Sequence, residues 1–295
     1  MHHRPGALTI ALVLVMLMTS LASAPSVGAI ELTCPPPATP PAAGTPSKRE
    51  AQNAAFPDDE IELTVFAAAS LTDAFVDIAD EIEPRHPNVS ISVETAGSQT
   101  LVTQLGEGAE ADVLATASLA TMRQAQESGL VNGEPVLFAA NRLVIVTPPD
   151  NPAGIEGIDD LAGDDIRLVI AAEDVPAGRY ARQAICDWAG ADDEAVAAIG
   201  ANVVSEETDV RSALTRVQLD EADAGIVYAS DAAAAELAGG EVKVVEFPSD
   251  VPTEATYPIA PTVGGNTEAA RAFIKFVLSD AGQRILADYG FAPVP

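Results

Sequence analysis

The feature that most constrains this chain is an alternation of strand-like and helix-like segments that starts near Glu60. The stretch ELTVFAAA is followed by SLTDAFVDIADEIEPRH, and VSISVETAG is followed by SQTLVTQLGEGA. The strand-like stretches are mostly β-branched or small. The helix-like stretches carry apolar residues three and four positions apart, as at Leu71, Phe75, Ile78 and Ile82. This alternation predicts βαβ units, and therefore an α/β fold with a parallel, doubly wound sheet.

The chain is long enough for two such units, because 295 residues suit two lobes better than one core. An uninterrupted apolar strand, RLVIVTPPD, leaves the first series near Asn141, and a second series ends near Ser230 in AGIVYASD. The segments after that point would return to the first unit. We therefore expect one lobe from residues 61–140 and 231–295, and a second lobe from residues 141–230.

The N-terminus predicts export from the cytoplasm. An uncharged run from Ala7 to Met18 follows basic residues and precedes the small residues Ala22-Ser23-Ala24. The run is shorter than the roughly 20 apolar residues of a membrane span, so we interpret residues 1–24 as a signal peptide. Residues 25–60, rich in proline and alanine, are expected to form a disordered tether. The protein would then work in the periplasm or at the outer face of the cell membrane.

The two cysteines, Cys34 and Cys186, admit different interpretations. Cys34 heads the tether, where a lipid-modified cysteine would stand, although the residue three positions upstream is Glu31 rather than an aliphatic residue. A lipid anchor at Cys34 is therefore one of two open alternatives. Cys186 falls in a helical pattern, YARQAICDWAG, and is expected to be a buried or half-buried thiol. No disulfide framework is predicted.

The charge and the scarcity of histidine exclude several classes of function. The formal net charge is −29, with 44 acidic against 15 basic residues, so nucleic acid is not an expected partner. An effector domain of a transcription regulator is opposed by the same lack of a basic segment and by the signal. The only histidine beyond the signal is His86, and no G-x-S-x-G motif occurs, which opposes an exported serine hydrolase. Few histidines and cysteines likewise oppose a bare metal ion, and no cofactor is expected.

Ser70 stands where the first strand runs directly into a helix. In open α/β sheets, ligands bind beyond the carboxyl ends of strands, where helix N-termini present free N–H groups and positive potential. The alternative is purely structural, because Ser70 and Asp73 have the spacing of a capping box.

Joints of the same kind recur along the chain and favour the ligand interpretation. Gly97 would let the backbone before Ser98 approach another group closely, and Tyr228 ends a buried strand, although a tyrosine there is commonly a core residue. Small residues open two more helices, at Pro176-Ala177-Gly178 and at Thr208-Asp209-Val210. Such joints, distributed over both lobes, predict a cleft lined by hydroxyl and N–H donors that suits a small anion.

With these residues the chain closely resembles the periplasmic molybdate-binding proteins, the solute receptors of molybdate ABC transporters, from about Glu62 to Phe291. The stretches that carry the resemblance are TVFAAASLTDAF, GSQTLVTQLGEGAEADVLATAS, EDVPAGRYARQA, TDVRSAL, AGIVYASDA, YPIA and YGF. The resemblance implies a two-lobed periplasmic-binding-protein fold of type II, each lobe a doubly wound, mainly parallel sheet with flanking helices. It also implies a monomeric receptor, not an enzyme, that captures molybdate or tungstate and hands it to a membrane permease.

The resemblance implies a site made of two serine hydroxyls, two backbone N–H groups and a tyrosine. These positions correspond here to Ser70, Ser98, the N–H groups of Ala177 and Val210, and Tyr228. An anion that stays fully ionised offers only acceptors, so a site of donors without lysine or arginine is physically consistent. Selection against sulfate would depend on cavity size, and selection against phosphate on the lack of an acceptor for its proton. The same fold could instead bind sulfate, phosphate or a small organic acid.

Overall fold

The structure, a computed structural model, describes residue 30, residues 32–35 and residues 55–294. The predicted signal peptide and most of the predicted tether lie outside these residues. The strands of the described part are β1 (Ile61–Ala68), β2 (Val89–Ala96), β3 (Val113–Ala115), β4 (Val136–Thr147), β5 (Leu168–Ala171), β6 (Val203–Glu207), β7 (Ala224–Tyr228), β8 (Lys243–Val245) and β9 (Glu254–Pro261).

Helices follow most of these strands. They are α1 (Thr72–Ile82), α2 (Ser98–Gly106), α3 (Leu119–Glu127), α4 (Pro176–Ala189), α5 (Asp193–Ala201), α6 (Val210–Gln218), α7 (Ala229–Leu237), α8 (Thr267–Val277) and α9 (Asp280–Asp288). Short 3₁₀ helices occur at Ala69–Leu71, Glu83–Arg85 and Ile158–Ala162. None of the described helices is both long and apolar enough to cross a membrane.

The strands are ordered β2-β1-β3-β9-β4-β7-β5-β6, with β8 also paired to β4. Strand β1 is parallel to β2 and β3, and β5 is parallel to β6 and β7. The pairings of β4 with β7, β8 and β9, and of β3 with β9, are antiparallel. The expected parallel strands therefore form two groups, and the strands through which the chain passes between these groups run in the opposite direction.

The passage between the two groups lies at the middle of β4. Its first half, Val136–Arg142, pairs with β9, and its second half, Leu143–Val146, pairs with β7. At this point the Asn141 side chain donates a hydrogen bond to Ser230 Oγ at 2.8 Å. The lobe boundaries predicted from the sequence lie near these two residues. Strand β9 leaves the far end of β4 unpaired, and β8 pairs with β4 there. The boundary predicted from the sequence assigns residues 243–245, which form β8, to the first lobe.

Buried apolar strands hold the core together. All residues of β5 and β7 are buried, as expected for parallel strands covered on both faces. Tyr257 of β9 lies at the centre of a group of aromatic rings, with ring centroids 5.8 Å from Tyr228, 6.3 Å from Phe138 and 5.3 Å from Phe291. This group connects the core beneath α1 with the strand end that carries Tyr228.

The cysteine interpretation was wrong. Cys34 and Cys186 form a disulfide, with their Cα atoms 5.7 Å apart, so Cys186 is not a thiol and the sulfur of Cys34 is not free for a lipid. Leu32 is buried, and a Cβ on Gly200 of α5 would lie 2.9 Å from the carbonyl oxygen of Ile30. This part of the predicted tether therefore packs against the folded protein. The buried Leu32 and the disulfide of Cys34 provide contacts that the proline- and alanine-rich composition of the segment does not predict.

Candidate functional site

The first joint places Ser70 in the 3₁₀ turn between β1 and α1. Its side chain is buried, with 3% of the residue exposed, and its Oγ lies 2.9 Å from the hydroxyl oxygen of Tyr257. The capping-box alternative is wrong, since α1 begins two residues later and Ser70 makes no capping hydrogen bond to either helix. The hydroxyl is thus engaged with another side chain and not with a helix end.

The second joint places Ser98 at the first position of α2, after Gly97. Ser98 is buried, and its Oγ accepts a hydrogen bond from the N–H of Ala117 at 3.0 Å. Because the oxygen accepts from this donor, the hydroxyl proton of Ser98 remains available for another acceptor. A Cβ on Gly97 would lie 2.5 Å from the carbonyl oxygen of Thr208. The close approach expected at Gly97 is therefore an approach to the loop before α6.

Two helix N-termini face these serines. Helix α4 starts at Pro176 without a side-chain cap, so the N–H of Ala177 is one of the groups that an α-helix leaves without an internal partner. Helix α6 starts at Val210 after Asp209, whose carboxylate accepts from the N–H of Ser212 at 2.9 Å. This cap satisfies the N–H of Ser212, so Asp209 does not occupy the N–H of Val210. Both N-termini add partial positive charge.

Tyr228 ends β7 and is fully buried, with 1% of the residue exposed. Its hydroxyl oxygen makes no hydrogen bond of standard geometry among the residues that the structure describes, although the Tyr257 side chain lies close enough to contribute to its raised pKa. Burial raises the pKa of Tyr228 well above its usual value, so the hydroxyl keeps its proton and is a donor at neutral pH. A buried polar group without a partner is unfavourable in the protein alone and indicates a ligand position.

All five residues expected at the site line one cavity between these joints. We call Ser70 and Ser98 the first wall, and Ala177, Val210 and Tyr228 the second wall. The cavity is narrow in this structure, since the space open to the centre of a water molecule is about 10 Å³. The other described lining residues include no lysine, arginine or histidine; they are Ala68, Ala69, Gly97, Ala117, Val175, Pro176 and Asp209.

Several side chains connect the two walls in this structure. The side chain of Gln99, on α2, donates to the carbonyl oxygen of Thr208 at 3.0 Å. Arg211 forms one ion pair with Asp73 of α1 and a second, at 2.8 Å, with Asp231 of α7. Arg211 therefore joins the helices that follow Ser70, Asp209 and Tyr228.

Asp231 is fully buried and accepts from the N–H of Tyr228 at 3.1 Å. Burial raises the pKa of Asp231 to about 6, although Arg211 acts in the opposite direction. Sequence reasoning gave no role to Asp231, to Arg211, to Asn141 or to Tyr257. The stretches TDVRSAL, AGIVYASDA and YPIA contain three of these residues, but no local pattern indicates which partners they reach.

The chemistry of the cavity is that of a binding site. Its described polar groups are hydroxyl and N–H donors, and the carboxylate of Asp209 is occupied by the N–H and the hydroxyl of Ser212. His86 contacts the ring of Phe56 and does not line the cavity, so neither serine of the first wall has a histidine base there. Within the described part of the chain, no three His, Cys, Asp or Glu residues cluster as metal ligands would.

Comparison with known sequences gives a consistent result. Residues 63–292 match the family described as bacterial extracellular solute-binding protein. The "Molybdate-binding protein ModA" of Mycobacterium tuberculosis (strain H37Rv) is 38% identical over 231 residues, which cover 78% of this chain and 84% of that protein. The Escherichia coli K12 protein of the same name is 34% identical over 240 residues, covering 79% and 90%.

Solved structures agree with the fold. A substrate-binding domain of a putative molybdenum ABC transporter from Clostridium difficile has a TM-score of 0.59 and 29% identity, covering 79% of this chain and 99% of that one. The Azotobacter vinelandii periplasmic molybdate-binding protein has a TM-score of 0.67 at 18% identity, covering 79% and 99%, and shows the fold alone. These likenesses confirm the predicted two-lobed periplasmic-binding-protein fold.

Proposed function

Because this chain belongs to the bacterial extracellular solute-binding proteins, we propose that it captures molybdate, or tungstate, between its two lobes. It would deliver the anion to the membrane permease of an ABC transporter. The proposal is supported by relatives named as molybdate-binding proteins at 32% to 38% identity. In this proposal the protein acts as a receptor outside the cytoplasm, needs no cofactor and catalyses no reaction.

The observation that carries the proposal is the unpartnered hydroxyl of Tyr228, which lines a cavity whose other polar side chains are two serine hydroxyls and the Asp209 carboxylate, already bonded to Ser212. A tetrahedral dianion offers only acceptors, so it would satisfy this hydroxyl together with the serine hydroxyls and the N–H groups of Ala177 and Val210. Since the lining contains no basic side chain among the described residues, the N-termini of α4 and α6 would supply the positive potential. In this proposal the same residues would hold molybdenum as its oxyanion, and no bare metal ion is expected there.

The walls also account for closure around the ligand. The first wall lies beside β1 and β2 and the second beside β5, β6 and β7, so a ligand that bonds to both favours the closed arrangement. Larger oxyanions and sulfate would be distinguished by cavity size. Hydrogen phosphate would be distinguished by its proton, for which a cavity of donors has no acceptor.

Calorimetric titration with molybdate, tungstate, sulfate and phosphate tests the proposal. We expect molybdate and tungstate to bind much more tightly than sulfate, with phosphate the weakest, and small-angle scattering to show a smaller radius on binding. The variant Gly97→Ala is a suitable negative control and should bind poorly, because its Cβ would lie 2.5 Å from the carbonyl oxygen of Thr208 across the cavity. If sulfate, phosphate or a small organic acid binds more tightly than molybdate, that anion is the ligand in place of molybdate.

A further inference from the structure

Tyr257 does not line the cavity, yet its hydroxyl is the group that contacts Ser70. The bond is 2.9 Å long, and either oxygen could be the donor if the pair were considered alone. Which of them donates decides whether Ser70 presents a proton or a lone pair to the cavity. The surrounding hydrogen bonds, together with the donors that a dianion requires, favour Tyr257 as the donor.

The donor and acceptor roles in this group of hydrogen bonds are set first at Asn141. The backbone N–H of Arg142 can only donate, and it lies 2.9 Å from Asn141 Oδ1. This bond fixes the orientation of the amide, so that Nδ2 faces Ser230 Oγ at 2.8 Å and Tyr257 Oη at 3.3 Å. An amide nitrogen has two hydrogens and accepts none. Asn141 therefore donates to both hydroxyls.

The direction then passes through Tyr257. This residue is completely buried, and burial raises the pKa of its hydroxyl far above the usual value, so it stays protonated. Its oxygen accepts from Asn141, and Ser70 Oγ lies 2.9 Å away. In the proposed function Ser70 gives its single proton to the anion, so the proton of this 2.9 Å bond comes from Tyr257. Ser70 thus accepts from Tyr257, and its own proton is left for the cavity. Ser98 is held in the same way by the N–H of Ala117.

We propose that Tyr257, oriented by Asn141, is a positioning residue that holds Ser70 as a hydrogen-bond donor and so makes the site reject oxyanions that carry a proton. The inference rests on the proposed function. If Ser70 were free to rotate, its oxygen could accept the proton of hydrogen phosphate. With the chain of hydrogen bonds in place, each serine oxygen already accepts once from the protein. Accepting the proton of an anion as well would leave the serine's own proton without an acceptor in the cavity, so a protonated anion is disfavoured.

The test measures the affinities of sulfate and phosphate, which are similar in size but differ in protonation at neutral pH, by competition against molybdate. In Tyr257→Phe we expect molybdate affinity to fall about 3- to 10-fold and the preference for sulfate over phosphate to fall by a similar factor. In a Ser70→Ala background the same substitution should change both quantities less than about 2-fold, because it acts through Ser70. Tyr289→Phe, which removes an exposed hydroxyl bonded to Asp77, is the matched control and should leave both quantities unchanged.

The outcomes separate the two proposals. A wild-type protein that does not bind molybdate or tungstate overturns the proposed function and this inference with it. The inference alone is overturned if Tyr257→Phe keeps the wild-type preference for sulfate over phosphate. It is also overturned if Tyr257→Phe changes this preference equally in the wild-type and the Ser70→Ala backgrounds. If Tyr257→Phe does not fold, Asn141→Ala removes the donor that sets the direction and leaves Tyr257 in place. It should lower the preference for sulfate over phosphate by about 2- to 5-fold, and an unchanged preference contradicts the inference.

Discussion

The two walls of the cavity hold their hydrogen-bond donors in different ways. In the first wall, both serine oxygens have a partner in the protein: Ser70 is hydrogen-bonded to the hydroxyl of Tyr257, and Ser98 accepts from the N–H of Ala117. In the second wall, the hydroxyl of Tyr228 has no partner in the described structure, and helix N-termini leave N–H groups open. The first wall is therefore organised before a ligand arrives, whereas the second wall is completed by the ligand.

The difference has an energetic consequence that separates stability from affinity. Removing a first-wall hydroxyl leaves a buried protein donor without its acceptor, which lowers the free energy of unfolding as well as the affinity. Removing the second-wall hydroxyl takes away a group that is unsatisfied without ligand, so only the affinity should fall. The predictions below test this comparison in order of decreasing expected effect.

The largest effect concerns the disulfide that secures the helix of the second wall. Cys186 lies on α4, about 14 Å along the helix from Ala177, and its bond to Cys34 spans 152 positions. Replacing both cysteines by serine should lower the free energy of unfolding by up to about 5 kcal/mol and change molybdate affinity less than about 2-fold. Chemical denaturation and calorimetry measure the two quantities.

A reducing agent should reproduce the loss of stability in the wild type and have no effect on the double variant. If reduction leaves the melting temperature of the wild type unchanged, the disulfide does not secure the second wall.

The next effect is expected for Tyr228→Phe. Loss of a donor to a dianion in a buried site should weaken molybdate binding by about 10- to 150-fold. Without ligand, the variant should be as stable as the wild type or more stable by about 1 kcal/mol, because a buried unpartnered hydroxyl is removed. Titration calorimetry and thermal melting check both values. A clear loss of stability would show that the hydroxyl has a partner in the free protein, and the contrast between the walls would fail.

Ser98→Ala is the matched change in the first wall. It should also weaken molybdate binding, and it should lower the free energy of unfolding by about 1 to 3 kcal/mol because the N–H of Ala117 loses its acceptor. Ser98→Thr keeps an oxygen at this position and is the control for stability. Equal stability of Ser98→Ala and wild type would mean that the first wall is not held by this bond.

The smallest effect is expected for Gln99→Ala, which removes a contact between the walls and no group that lines the cavity. The bond from Gln99 to the Thr208 carbonyl is 3.0 Å long and neutral, so its loss should lower molybdate affinity about 2- to 10-fold. Stability without ligand should not change, since the bond forms only when the walls meet. A fall in melting temperature without ligand would instead indicate that the walls stay together in the free protein.

Much of the site could be predicted because its groups lie at local sequence signals. Ser70, Ser98 and Tyr228 stand where a strand ends, and Ala177 and Val210 stand where a helix begins. Strand and helix periods extend over a few residues, so the sequence shows where they change. In a sheet of this type such changes gather at one edge, and the structure brings all five residues to one cavity. Their role in binding an anion stays a prediction.

The sequence by itself therefore determined the α/β class, the ends of the strands and the donors that gather there, because each depends on neighbours along the chain. Only the tertiary structure decided the direction in which those donors point. Tyr257 is 187 positions from Ser70, and Cys34 is 152 positions from Cys186. No periodic pattern relates residues so far apart, since their partnership depends on how β4, β9 and α4 pack. A hydroxyl becomes a fixed donor only when a particular neighbour occupies its lone pair, and that neighbour is supplied by the fold.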